Sequence, residues 1–255
     1  MASQVSITGL AGVPLVKPGD DLAAITLAGY AASGLAPADG DVLVIAQKIV
    51  SKAEDRIVDV GRIEPSPEAI ALAAEIDKDP RLVEVILSES RRIVRKRPGL
   101  LIAEHQRGWV MANAGIDHSN VAPEDGTERV LLLPLDPDAS AEALRACLAA
   151  ITGKRLAVII SDSFGRPFRR GTVGIALGAA GLPALIDWRG LPDLFGRKLD
   201  VTDTGFADEI AAAASLVMGQ AAEAVPIAVV RGLAWSAPDA PAAALVRPPE
   251  HDLFR

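Results

Sequence analysis

Acidic, hydroxyl and basic residues follow one another directly after the apolar segment 156–160. An aspartate beside a hydroxyl, Asp162 and Ser163, can hold a magnesium or manganese ion that bridges phosphate oxygens. Three arginines follow within the next few positions: Arg166, Arg169 and Arg170. Their planar guanidinium groups match phosphate or carboxylate in a two-pronged fashion. The segment therefore indicates a site for an anionic ligand, with a solvated basic turn as the alternative.

A second polar cluster occupies residues 113–120, after the apolar segment 109–112. Asp117 supplies a carboxylate, which is a hard oxygen ligand suited to magnesium or manganese. Asp117 and Asn120 can equally form a turn in which their side chains satisfy backbone groups. From the residues alone, a metal site and a turn remain open.

Two further segments are weaker candidates. Gln47, Lys48 and Lys52 follow the apolar run 42–45, and lysines at that place can meet phosphates as point charges, although a solvated face is commoner. The segment 218–223 can bring backbone N–H groups and an amide oxygen to a ligand. An ordinary connection between a helix and a strand fits this segment equally well.

Apolar runs and capping residues predict a protein of the α+β class. Buried strands are expected at four apolar runs, namely 42–45, 130–133, 156–160 and 226–230. Helices are expected after three capping signals and over one periodic segment, namely Ser66-Pro67, Asp79-Pro80, Asp136-Pro137 and 208–217. Residues 100–103 and 109–112 flank a loop of hairpin length. The combination predicts a mixed β-sheet with flanking helices.

Composition excludes several classes of protein. The chain has 255 residues and a formal net charge of −7, which argues against binding to a nucleic-acid backbone. It contains no run of about 18 apolar residues, so no membrane span is expected and the cytoplasm is the simplest location. The P-loop, dinucleotide-binding and zinc-hydrolase patterns are absent. Cys147 is expected to be a buried packing residue, and His105 and His251 are expected in surface positions or loops.

The sequence resembles the coenzyme F420-0:L-glutamate ligase family. The resemblance runs from Gly9 to about Leu233, and its most specific parts are residues 40–54, 113–120 and 162–171. In archaeal members, small polar residues stand at the positions of Gln47 and Lys48, and an acid at that of Gln220. Some bacterial members also carry a C-terminal flavin-binding, nitroreductase-like domain. Here residues 1–255 are expected to form the ligase domain alone.

The resemblance implies functional residues at matching positions. Guanine nucleotide binding is implied for four groups of residues, namely Val13, Pro14, Leu15 and Val16; Gln47, Lys48 and Lys52; Asn120; and Met218, Gly219, Gln220, Ala221, Ala222, Glu223, Ala224 and Val225. Metal binding is implied for Asp117, Asp162, Ser163 and Gln220. The ions are Mg²⁺ or Mn²⁺, with K⁺ as a further candidate. We infer that the three arginines grip the acidic substrate, and the sequence assigns no catalytic base.

The resemblance also implies a family-specific fold, an intertwined homodimer and a reaction. GTP would activate a carboxylate of coenzyme F420-0 as an acyl phosphate, and L-glutamate would displace the phosphate, with further γ-linked glutamates as a possible extension. Two alternatives stay open at this point. One is a protein that binds a phosphorylated ligand without turning it over, and the other is a different carboxylate-amine ligase on the same scaffold.

Overall fold

The computed structural model describes residues 4–119 and 128–253. Within them the chain forms two compact units. The first unit contains residues 4–53 and 136–245, and the second contains residues 54–119, 128–135 and 246–253. In the sequence, the larger part of the second unit thus lies between the two segments of the first unit.

The described residues form six α-helices and twelve strands. The α-helices are α1 (Leu22–Ala32), α2 (Gln47–Ala53), α3 (Pro67–Ile76), α4 (Pro80–Ser88), α5 (Pro137–Thr152) and α6 (Phe206–Met218). The strands are β1 (Ser6–Gly9), β2 (Val42–Ala46), β3 (Ile57–Asp59), β4 (Ser90–Arg97), β5 (Leu100–His105), β6 (Val110–Ala112), β7 (Arg129–Leu131), β8 (Ala157–Gly165), β9 (Thr172–Ala180), β10 (Ile186–Asp187), β11 (Asp203–Thr204) and β12 (Ile227–Arg231).

The first unit is built on a mixed five-stranded sheet in the order β1-β12-β2-β8-β9. β2 and β8 are parallel, whereas the other neighbouring pairs are antiparallel. Side chains alternate between the two faces of the sheet. On β8, Val158 packs with α1, α2 and α5, and Ile159 packs with α6. The predicted α+β class with a mixed sheet and flanking helices is confirmed.

Side-chain caps define where the helices begin, as the sequence predicted. The Ser66 hydroxyl accepts the N–H of Ala69 at the start of α3, and Asp79 accepts that of Arg81 at the start of α4. Asp136 caps α5 in the same way, and Gly153 ends that helix in the left-handed conformation. Such caps satisfy N–H groups that have no partner inside a helix.

The edge strand β9 was not predicted, because two glycines interrupt its apolar pattern. A Cβ on Gly174 would lie 2.5 Å from the Ala211 carbonyl oxygen of α6, and one on Gly178 would overlap the Pro137 carbonyl of α5. Both helices therefore pack directly on the β9 backbone. Asp208 in α6 accepts the N–H of Ala176 on β9 at 2.8 Å. Burial raises the pKa of this carboxyl.

A buried carboxylate ties together the other end of the same sheet. Asp41 is fully buried just before β2. Its oxygens accept hydrogen bonds from Tyr30 Oη at 3.0 Å and from the backbone N–H of Ala38 at 2.9 Å. Arg231, at the end of β12, donates Nε and Nη2 to the two carboxylate oxygens at 2.7 and 2.8 Å. The cluster links α1, β2 and β12.

The hydroxyl of Tyr30 should remain protonated in the folded protein at alkaline pH. Burial, followed by the charge of Asp41, raises the pKa of Tyr30 above its usual value of about 10. The folded state then holds a proton that the unfolded chain releases, so this group's contribution to stability is complete below pH about 10 and is lost as the pH rises. Tyr30 is the only tyrosine. Tyrosinate absorbance should therefore appear only with unfolding, and its appearance in protein that stays folded would refute the expectation.

The second unit contains the sheet β4-β5-β6 and the pair β3-β7. The predicted antiparallel pair is confirmed in β5 and β6, where Ala103 faces Met111. The core of the second unit includes the buried side chains of Leu72 in α3 and Ile86 in α4. The edge strand β4 was not predicted because it is mostly basic, and charged edges of this kind prevent strands of other molecules from pairing.

Two predictions about single residues were wrong. Cys147 is exposed on α5. The buried stripe of that helix passes through Leu144 and Leu148, and Cys147 is turned about 100° away from Leu148. His105 is buried at the end of β5, with only 5% of its surface exposed. The Nδ1 atom of His105 accepts a hydrogen bond from the backbone N–H of Arg107, and this bond closes the turn after β5.

His251 is exposed, as expected. In the part of the chain that the structure describes, no helix combines the length and the apolar character needed to cross a membrane.

Candidate functional site

The parallel strands β2 and β8 end at the same edge of the first unit's sheet. Ala46 is paired with Ser161, so Gln47 and Asp162 begin at the same level. α2 starts directly at Gln47 without an intervening loop. The polar residues after β2 and those on β8, which lie far apart in the sequence, are thus brought together in the fold.

Two more candidate segments reach this edge through β12. The strand begins at Ile227, opposite Ile45 near the end of β2, and Ala46 donates its N–H to the Pro226 carbonyl at 2.8 Å. The loop after α6 therefore arrives beside β2. On the other side of β12, Leu10 donates to the Ile227 carbonyl at 2.8 Å, so residues 13–16 leave β1 at the same edge. We define the candidate edge as residues 13–16, 47–52, 161–163 and 218–225.

Asp162 and Ser163 lie within β8 and not beyond its end. The continuous buried apolar run ends at Ile160, as predicted, but the strand continues through the buried Phe164, and its pairing with β9 continues to Gly165. Ser163 donates its hydroxyl to Oε1 of Gln220 at 2.6 Å, which places it on the α6 face. By alternation along the strand, Asp162 lies on the opposite face, which carries α2.

The short helix α2 presents two lysines one turn apart. Burial, and then the neighbouring charge of Lys48, lowers the pKa of Lys52. Two like charges at this spacing repel each other, so a bound anion would stabilise both. Gln47 is buried, and its Oε1 accepts the hydroxyl of Ser51 at 2.9 Å. The sequence analysis did not predict that Ser51 positions the side chain of Gln47. The signal that could have shown it is the spacing of four residues, which places the two side chains next to each other on a helix.

The loop after α6 folds back on itself. Gly219 ends the helix with a φ of 76°, which glycine adopts without strain. The carboxylate of Glu223 accepts the N–H of Ala221 at 2.7 Å. This hydrogen bond is the main reason why the pKa of Glu223 is lowered. The loop therefore presents backbone donors to an acidic group.

The three arginines follow β8 in an exposed turn. Phe168, in their midst, has a φ of 60°. Arg169 and Arg170 are exposed, whereas the Nε of Arg166 is buried without a hydrogen-bond partner among the described residues. An unsatisfied buried donor is costly, and an acidic ligand would satisfy it.

Asp117 belongs to the second unit and follows a turn with unusual backbone angles. Asn113 and Ala114 have φ values of 51° and 52°, which cost energy for residues other than glycine and often occur at functional sites. Asp117 Oδ1 accepts the N–H of Ser119 at 2.6 Å. One carboxylate oxygen of Asp117 therefore forms the predicted turn. The metal-ligand role remains a prediction. Asn120 lies outside the described residues.

The candidate metal ligands at the edge, Asp162, Ser163 and Gln220, all offer oxygen atoms. Oxygen donors suit Mg²⁺ and Mn²⁺ and are poor ligands for soft metals. Over residues 4–119 and 128–253, no three histidine, cysteine, aspartate or glutamate side chains are grouped in a way that could hold a metal. Asp162, Ser163 and Gln220 thus offer one carboxylate and two neutral oxygens to a hard cation.

Comparison with known proteins decides the family. The sequence pattern of the family described as F420-0:Gamma-glutamyl ligase matches residues 12–232. The chain belongs to the F420-0:gamma-glutamyl ligase family. The match includes every segment of the candidate edge.

Similar proteins in this ligase family span almost the same length. The chain is 49% identical to the coenzyme F420:L-glutamate ligase of Methanothermobacter thermautotrophicus, over 98% of this chain and 99% of that protein. It is 47% identical to the protein of the same name from Methanopyrus kandleri, over 95% and 96% of the two chains. For the protein from Archaeoglobus fulgidus the identity is 46%, over 90% and 88%.

Proposed function

We propose that this protein is a GTP-dependent ligase that joins L-glutamate to coenzyme F420-0, forming the amide bond through an acyl phosphate and releasing GDP and phosphate. The convergence of four separate segments at the candidate edge carries the proposal. The family and the names of its similar members favour this reaction over a different ligase. The same site could extend the product by further γ-linked glutamates.

The proposed reaction has two chemical steps. A carboxylate oxygen of the deazaflavin attacks the γ-phosphorus of GTP, the bond from that phosphorus to the β,γ-bridging oxygen breaks, and GDP leaves. The amine of L-glutamate then attacks the acyl carbon, and phosphate leaves with the former carboxylate oxygen while the nitrogen loses a proton. Steps of this kind depend mainly on positioning and charge neutralisation.

The residues of the candidate edge and the three arginines after β8 have distinct proposed roles. Lys48 and Lys52 neutralise nucleotide phosphates, and the loop after α6 offers backbone N–H groups to the same phosphates. Arg166, whose buried Nε needs an acceptor, binds an acidic group of the deazaflavin or the incoming glutamate. Arg169 and Arg170 are the further candidates for this role.

Four residues with side-chain oxygens are proposed to hold a cation. These are Asp162, Ser163 and Gln220 at the candidate edge, and Asp117 in the second unit keeps the ligand role implied by the resemblance. A bound Mg²⁺ or Mn²⁺ would offset the charge of the β- and γ-phosphates, and K⁺ is a further proposed ion.

Release of GDP in single-omission reactions separates this function from its rivals. GDP should form only when GTP, a divalent cation, L-glutamate and the deazaflavin acid are all present, and ATP should substitute poorly. A ligand-binding protein without turnover would release no GDP in any mixture. A different ligase would release it with another acid or amine. With a deazaflavin labelled by heavy oxygen in its carboxylate, one label should appear in the phosphate, and unlabelled phosphate would exclude the acyl-phosphate route.

Replacement of Lys52 should weaken nucleotide binding selectively. Lys52→Ala removes a charge-assisted contact worth about 1.5–3 kcal/mol, so the affinity for GTP should fall about tenfold or more. Titration calorimetry measures the change. Lys17→Ala, which removes an exposed lysine from the same unit, is the control and should bind GTP normally. Equal GTP affinity in Lys52→Ala and the parent would show that the contact does not exist.

We propose further that the protein forms the homodimer implied by the resemblance. The segment 186–204 is held as an arm by internal hydrogen bonds, such as the one from Gly190 N–H to the Leu199 carbonyl at 2.8 Å. Its tip exposes Leu194 and Phe195 at 99% and 94% of their surfaces. Large exposed apolar side chains of this kind mark association surfaces. Sedimentation should give the mass of two chains, and a single-chain mass at micromolar concentration would contradict the proposal.

A further inference from the structure

The loop after α6 already holds an anion that belongs to the protein itself. Glu223 turns back toward the start of the loop, and its Oε2 accepts the N–H of Ala221 at 2.7 Å. The Glu223 side chain is exposed, so burial of the carboxylate does not explain this hydrogen bond. The loop therefore favours a negative group at this point through its backbone donors.

The backbone beside Glu223 is unusual at two positions. The Cδ and Oε2 atoms of Glu223 lie directly against the backbone of Gly219, where a Cβ would overlap them unless the Glu223 side chain moved. Ala224, the next residue along, has a φ of 56°. This left-handed conformation costs a residue with a side chain about 1–2 kcal/mol. The strain is typical of a functional loop, since the chain adopts it only when surrounding contacts compensate.

We propose that the Glu223 carboxylate occupies the anion position of this loop in the unliganded protein, and that a phosphate of the incoming nucleotide displaces it. The inference rests on the proposed function. A phosphate oxygen and a carboxylate oxygen use the same N–H donors, and two negative groups cannot share them at contact distance.

Displacement has a measurable consequence for affinity. Part of the favourable interaction of phosphate with the loop is offset by the loss of the Glu223 contact, since a ligand binds more weakly when it must displace a competing group. Removing the charge of Glu223 should therefore tighten phosphate binding. The gain should be about tenfold, the value of one charge-assisted hydrogen bond.

The test compares the binding of inorganic pyrophosphate and of GTP by calorimetry in matched variants. Glu223→Gln keeps the size of the side chain without its charge, and Glu223→Ala empties the position. Glu209→Gln removes an exposed carboxylate from α6 in the same unit and is the control. Both Glu223 variants should bind pyrophosphate about tenfold more tightly than the parent, and the control should not change.

The outcomes distinguish this inference from the proposed function. Unchanged or weaker pyrophosphate binding in both Glu223 variants, or no binding to any of the proteins, would overturn the inference even if the parent ligates glutamate with GTP. Conversely, tighter pyrophosphate binding in the variants would support the displaced carboxylate even if the parent released no GDP in the ligation assay. In Glu223→Ala, the amide resonance of Ala221 should shift on addition of pyrophosphate, and a resonance that does not move would place the bound anion elsewhere.

Discussion

Asp162→Asn is expected to abolish glutamate ligation while leaving the fold intact. The substitution keeps the size of the side chain and its capacity for hydrogen bonds, but removes the negative charge that a hard cation requires. Manganese affinity should fall at least about tenfold to a hundredfold, the loss that follows even when an outer partner of a metal ligand is removed. Because asparagine keeps the size and the hydrogen-bonding capacity of the side chain, the melting temperature of the metal-free protein should stay the same or rise slightly.

Manganese titration by electron paramagnetic resonance, alongside the ligation assay, measures both effects. Asp200→Asn removes an exposed aspartate of the same unit and should leave activity and manganese affinity unchanged. If Asp162 is only a backbone-shaping residue of β8, its asparagine variant should ligate normally. Full activity with unaltered manganese affinity would overturn the metal assignment of this residue.

The largest effect on stability is expected at Asp41. Asp41→Ala leaves the guanidinium of Arg231 and the hydroxyl of Tyr30 without their shared acceptor. Breaking a buried ion pair costs about 3–5 kcal/mol. The lower end of that range applies here, because 39% of the Arg231 side chain is exposed and water can compensate in part. Denaturant unfolding monitored by circular dichroism gives the change in the free energy of unfolding.

The neighbouring Asp39 provides the matched control. Asp39 accepts the N–H of Arg155 at 2.8 Å but its side chain is 49% exposed. Asp39→Ala should therefore lower the midpoint of unfolding far less than Asp41→Ala. Equal midpoints for the two variants would mean that the buried cluster does not stabilise the first unit.

The sequence predicts those helices and strands that are determined by neighbouring residues, such as an apolar run or a capping residue. The apolar run 42–45 forms β2, and the proline signals after Ser66 and Asp79 start α3 and α4 as expected. β4 and β9 escaped prediction for opposite reasons. β4 is basic because it lies at an edge, and β9 contains glycines because two helices press on its backbone. Both causes are tertiary, and no local pattern reveals them.

The residue types of the candidate site could be predicted, but their arrangement could not. The sequence indicates that Asp162 and Lys52 suit an anionic ligand and its cation, yet it does not show that β2 and β8 are parallel neighbours. The apolar pattern also stops before Asp162, although hydrogen bonding to β9 continues to Gly165. The contact between Glu223 and Ala221 depends on the path of the loop backbone, which side-chain types alone do not specify.

Mass spectrometry of the deazaflavin product tests the central claim most directly. After incubation with GTP, a divalent cation, L-glutamate and coenzyme F420-0, the deazaflavin should gain the mass of one glutamyl unit for each GDP released in the first round. Omitting GTP should leave its mass unchanged. A deazaflavin whose mass does not change in the complete mixture, or one that gains glutamate without GTP, would contradict the proposed ligase.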